Sequence, residues 1–217
     1  MSEFKVTALV CPDCAQPLVG LRHDKVFFCK ACSQGCAPAP EGGWSRYPLS
    51  FAHVEDPPME AIIYLPFWQL HVDAFATGAN QKQEVASRML DHLASVWVVG
   101  FALVRASYFG DLGLVYTEKG AVLTPAEIQP QGKHLAGCAR GLEEAGRYAQ
   151  LYTTLIIDKR ADVTGMDIQV EVKGATLWAV PFIDQGEQIV DLVSGAELPI
   201  FAVDDLAELR RINRIST

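Results

Sequence analysis

The chain has 217 residues, half of them hydrophobic and a fifth charged, with a formal net charge of −8 at pH 7. That apolar content suffices for a packed core and excludes extensive disorder. The best apolar run, residues 93 to 104, ends at Arg105, well short of the roughly 20 residues that a membrane-spanning helix needs. No basic-then-apolar leader is visible where Glu3 and Lys5 bracket Phe4, so a reduced, cytoplasmic location is expected.

The most specific signal comes first in the chain. Cys11-Pro12-Asp13-Cys14 and Cys29-Lys30-Ala31-Cys32 form two Cys-x-x-Cys hooks separated by fourteen residues, just under the usual insert of about 15 to 20. Each hook turns its two sulfurs toward one point, and an insert that doubles back presents the second hook opposite the first. Leu18, Val19 and Leu21 predict an outgoing strand, Arg22 to Lys25 a polar turn, and Val26 to Phe28 the returning strand. Four thiolates from such hooks suit a single tetrahedral metal ion, with zinc the default occupant; mononuclear iron fits the same donors. Cys36 is read as a spare thiol close to the site.

These residues resemble a rubredoxin-like zinc ribbon over about residues 1–50, with Cys11, Cys14, Cys29 and Cys32 on the ligand positions of that family. The resemblance implies one structural zinc ion in a hairpin of β-knuckles. One departure matters: Ala15 and Ser33 stand after the hooks, where many members of the family carry Gly, so less regular knuckles are expected.

Pro38, Pro40, Gly42 and Gly43 mark a connector with a short strand over 44–52. The expected division is a zinc ribbon with its connector, 1–52, followed by an α+β domain, 53–217, with mainly antiparallel strands and two or three helices. In that larger domain, residues 59–76 read as a strand with Pro66 at an edge or a bulge. Asn80 is placed to cap a helix with Val85, Met89 and Leu93 on its buried stripe. Residues 96–104 read as a buried strand, and 108–116, with Gly110 and Gly113, as a loop or strand pair. Thr124-Pro125-Ala126-Glu127 has the form of a capping box, and a long helix is predicted over about 133–152 with Cys138 on its buried face. Residues 167–173 alternate as a half-exposed strand, Gly174 allows a turn, and 175–183 continue as a buried strand. Further expectations are a strand over 188–193 and a terminal helix from Asp204 or Asp205. Residues 61–68 also echo residues 176–183 at an offset of 115; duplication and coincidence both account for it.

Charge is uneven. Residues 1–50 carry five Lys or Arg and four Asp or Glu, leaving −9 on the other 167 residues, a field that repels phosphate backbones. The chain has no His-Glu-x-x-His, Gly-x-Ser-x-Gly or phosphate-loop motif, and its histidines stand apart at 23, 53, 71, 92 and 134. No catalytic or cofactor-binding residue is therefore assigned beyond the four metal cysteines. This weighs against an enzyme without deciding it, because sites assembled from distant segments leave no linear trace. The expected function is an interaction or scaffold subunit of a cytoplasmic assembly, with structural zinc and a protein partner. Alternatives are a nucleic-acid or transcription-associated ribbon, an enzyme with structural zinc, and an iron-bearing electron carrier. The Pro-Phe-Trp phrase after the ribbon is similar to uncharacterised bacterial zinc-ribbon proteins, a likeness that implies no activity.

Overall fold

The computed structural model describes residues 9–21, 23–55, 62–78, 84–102, 112–127, 135, 137–199 and 203. Within them, eight strands form one mixed sheet: β1 (Phe27–Cys29), β2 (Gln34–Pro38), β3 (Trp44–Phe51), β4 (Ile62–Thr77), β5 (Ser95–Val99), β6 (Asp167–Asp184), β7 (Gln188–Asp191) and β8 (Glu197–Pro199). Three helices accompany them: α1 (Glu84–Asp91), α2 (Leu112–Glu118) and α3 (Leu142–Asp158). The order along the sheet is β1-β2-β3-β6-β4-β5, with β7 on β6 and β8 on β7. Only β3 and β6 run parallel; the other pairs are antiparallel. The expected α+β class and the antiparallel majority are thus present.

The central pair is β4 with β6, in register from Ile62 opposite Ile183 to Thr77 opposite Asp167. Its two faces follow from alternation. Ile63, Leu65, Phe67, Trp178, Val180 and Phe182 face one core, closed by Leu112 and Tyr116 of α2 and by Ile189 and Leu198. Phe67 stacks on Tyr116 and on Phe182 there. Ile62, Tyr64, Trp68, Leu70, Leu177 and Ala179 face the other core, closed by Ala145, Ala149 and Tyr152 of α3. Val26 and Phe28 from the hairpin between the hooks belong to this second core. The buried indoles are satisfied: Trp68 Nε1 donates to the Arg140 carbonyl at 3.0 Å, and Trp178 Nε1 to Gln69 Oε1 at 2.9 Å.

Several expectations are corrected. Pro66 lies neither at an edge nor at a bulge, since β4 is paired on both sides. Its missing N–H points where the β5 ladder ends. Gly100 N–H still donates to the Pro66 carbonyl at 2.7 Å, while the Gly100 carbonyl, which Pro66 cannot serve, accepts the Arg140 N–H at 2.9 Å. Gly174 makes no turn. It follows an extra residue, Lys173, where the register shifts between His71 and Val72 and β6 bulges. The bulge moves the buried parity from even to odd positions, so Ile168, Val170 and Val172 share a side with Ala175, Leu177 and Ala179.

The helices differ too. In α1 the buried residues are Ala86 and Leu90, while Val85 is exposed, one position off the predicted stripe, because α1 packs on Ile157 and Ile168. Residues 112–118 are helical despite Gly113, since Leu112, Tyr116 and Thr117 together bury one face. Residues 124–126 do not open a helix: the Thr124 carbonyl accepts the His53 N–H, and Ala126 N–H donates to the Phe51 carbonyl. The long helix begins at Leu142, after Gly141, and runs to Asp158. Cys138 is extended instead and bridges Val26. A helix does not pass through 138 because the Cys138 carbonyl accepts the Lys25 N–H at 2.9 Å and the Val26 N–H at 3.2 Å; beside it Gly137 abuts the Asp24 carboxylate, which an added Cβ would approach to 2.0 Å. Asn80, His134 and the expected terminal helix lie outside the described residues.

One edge feature concerns α3. The Gln150 side-chain amide donates to the Ile168 carbonyl and accepts the Val170 N–H, the second at 2.9 Å. It occupies the place of a neighbouring strand's peptide beside β6.

The division at residue 52 falls just after β3, whose first half pairs with β2 and whose second half pairs with β6. Gly35 sits at that junction, where a Cβ would come within 2.5 Å of Leu177 Cδ1 and 2.9 Å of Val26 Cγ1. Gly35→Ala is expected to destabilise the protein by about 1–3 kcal/mol through overpacking. With the core shared, calorimetry should show a single unfolding transition that shifts as a whole; two resolved transitions would mean that 1–52 unfolds by itself.

Candidate metal centre

Both hooks are built alike. Ala15 N–H donates to the Cys11 carbonyl at 2.9 Å, and Ser33 N–H to the Cys29 carbonyl at 3.0 Å. Closing each turn requires left-handed backbone, and Ala15 and Ser33 adopt it with φ of 58° and 54°. The knuckles are therefore regular, contrary to the expectation from their missing glycines. Between them, Val19 bridges Phe28 across the hairpin, and Asp24 N–H closes the turn onto the Leu21 carbonyl.

The four predicted cysteines come together. Cys11, Cys14, Cys29 and Cys32 have sulfur atoms all within 4.8 Å of one another, with Cys14 and Cys29 at 3.5 Å and Cys11 and Cys32 at 3.9 Å. A tetrahedron with zinc–sulfur bonds of about 2.3 Å places its sulfurs about 3.8 Å apart, so the donor set fits. Cys36 stands outside this set, buried on β2 against Cys11, Leu18 and Cys29. Burial, followed by the nearby Cys11 and Cys29 charges, pushes its thiol up to about 11.

The thiols of Cys11, Cys29 and Cys32 do not ionise alike. Burial opposes ionisation of Cys11, yet the backbone N–H groups of Asp13 and Cys14 and the Gln34 amide bring it down to about 6. Burial raises Cys29; hydrogen bonding with Cys14, then burial, raises Cys32. One thiolate forms readily at Cys11, whereas Cys29 and Cys32 need a cation to compensate their charge.

Sequence reasoning missed the layer behind the sulfurs. Gln34 Nε2 lies 3.3 Å from Cys11 Sγ and 2.6 Å from Asp13 Oδ2. Arg46 forks onto the same carboxylate, Nε to Oδ2 at 3.1 Å and Nη2 to Oδ1 at 2.9 Å. The Gln34 amide, then Arg46, hold the Asp13 carboxyl below its usual range. Gln34 and Arg46 meet only because β2 and β3 pair with Cys36 opposite Arg46, an adjacency with no linear signature. Of the cations near the ribbon, Lys25 pairs with Glu144 at 2.6 Å and Arg46 with Asp13; Arg22 lies outside the described residues.

No helix among the described residues is long and apolar enough to cross a membrane. Comparison of the chain with family models, curated proteins and solved structures returned no match.

The positive φ values carry a test. Ala15→Gly and Ser33→Gly should each stabilise the protein by about 0.5–1 kcal/mol, the left-handed cost for a Cβ less the extra chain entropy of glycine. Denaturant midpoints at saturating metal measure this; no gain at either site would show that these turns are unstrained.

Proposed function

We propose that Cys11, Cys14, Cys29 and Cys32 hold one structural zinc ion, and that the protein acts as an interaction or scaffold subunit of a cytoplasmic assembly. The observation that carries the zinc reading is the closed donor set: four sulfurs within 4.8 Å, spaced for one tetrahedral ion. Such a set leaves no place for water or substrate, which separates structural from catalytic zinc. The ion's chemistry here is cross-linking: it ties the two hooks together and so completes a hairpin too small to build a core unaided.

Support for the scaffold part is a cleft of about 1180 Å³ between the ribbon and the start of α3. Phe27, Tyr47, Pro38 and Pro40 line one wall, and Leu142 and Tyr148 the other. The hairpin between the hooks supplies Phe27 to this concave surface, and β2, β3 and their connection supply Pro38, Pro40 and Tyr47, with aromatic residues of the kind favoured at protein contacts. The two cations of the cleft are each paired, Lys25 with Glu144 and Arg147 with Glu143, and Asp24 adds a further carboxylate to the lining, which favours a protein over a polyanion as partner.

Purified protein is expected to be colourless with one zinc per chain. Cobalt replacement should give the strong sulfur-to-metal absorption of a four-sulfur tetrahedral site, unmoved by added anions. A red, iron-bearing protein would favour the electron carrier, and a spectrum that shifts with anions would indicate an open, reactive position. Generic DNA and RNA should bind weakly or not at all at physiological salt, given the net charge of −8; tight binding lost on Lys25→Glu would favour the nucleic-acid alternative.

A further inference from the structure

We infer that Gln34 is a positioning residue for the metal centre, its side-chain amide aimed by Asp13 and Arg46 so that it holds the Cys11 sulfur in place and sets its donor strength. The inference rests on the four-thiolate reading of the site. The amide nitrogen has two hydrogens and two acceptors to meet, Cys11 Sγ at 3.3 Å and Asp13 Oδ2 at 2.6 Å. Both partners are acceptors when ionised, which fixes the orientation of the amide: the nitrogen, not the oxygen, faces them. Asp13 belongs to the first hook, between Cys11 and Cys14, whereas Gln34 and Arg46 lie on the sheet. The chain from Arg46 through Asp13 and Gln34 to Cys11 therefore ties the hook to β2 and β3 by side chains.

Why that should matter to the metal follows from the exposure of the ion pair. With Asp13 and Arg46 each nearly half exposed, their attraction contributes little to stability. What a two-pronged guanidinium contact does supply is direction. A hydrogen bond to a thiolate withdraws electron density from the sulfur and resists its protonation, so the metal–sulfur bond is held with a fixed geometry and a weaker donor. Removal of such outer contacts typically costs between about 10- and 100-fold in metal affinity.

Gln34→Met keeps length and packing and removes both N–H donors. With full-length protein, zinc transfer to a chromogenic chelator is expected to become about 10- to 100-fold more favourable. In the cobalt form, the sulfur-to-metal band should move to lower energy, because a thiolate without its hydrogen bond gives up an electron more easily. Arg46→Met leaves Gln34 in place but loosens its aim, and should shift both readouts in the same direction by less. Gln34→Met with unchanged band energy and unchanged zinc transfer would overturn the inference, as would Arg46→Met alone moving neither if Gln34→Met fails to fold. Wild-type protein that shows no four-sulfur cobalt spectrum would instead overturn the four-thiolate reading.

Discussion

The long antiparallel ladder between β4 and β6 is the constraint on which the other elements depend. It brings residues more than a hundred positions apart into register over sixteen residues of β4, and its alternation creates both cores at once. Such a pairing tolerates little local irregularity, so each irregular residue is accommodated by a neighbour. The segment at Arg140 relieves Pro66, and one bulge at Lys173 lets a change of parity pass without breaking the strand. That the described parts of the two similar phrases, 62–68 and 177–183, lie side by side with Leu65 opposite Val180 follows from the same register.

Against this frame the metal centre is a lateral extension. Hairpin residues Val26 and Phe28 enter the core beneath α3, and β3 hands the sheet from β2 to β6. A ribbon alone has too little apolar surface for stability; here it borrows a core from the larger unit on one side and closes around four sulfurs on the other. The sulfur cluster and the packed side chains thus stand at opposite ends of the same small element.

How much of this was legible follows from the range of each signal. The spacing of the four cysteines, strand β3 and the alternation of β6 rest on local pattern, and those readings agree with the fold; of the expected hairpin only the Val19–Phe28 bridge forms among the described residues, and β1 ladders with β2 instead. Glycines misled because their meaning depended on distant contacts. Gly113 sits inside a buried helix, Gly174 marks a bulge, and Gly137 is required by the Asp24 carboxylate from another part of the chain. Thr124-Pro125-Ala126-Glu127 has a sound helix-start pattern, yet the strand end at 51–53 takes its backbone groups first. The layer around the sulfurs was illegible for a similar reason: Gln34 and Arg46 become neighbours of Asp13 only after two strands have paired.

Gln150 bears on how this protein lives among other copies of itself. Among the described residues no strand pairs with the outer side of β6 near Ile168 and Val170, and an open margin offers backbone donors and acceptors to any extended chain that meets it. The glutamine amide fills both positions as a strand would, though it belongs to a helix and cannot propagate a ladder. A contact that looks like local stabilisation therefore also serves colloidal self-restraint: at that point the sheet is terminated by a group onto which no further strand can zip.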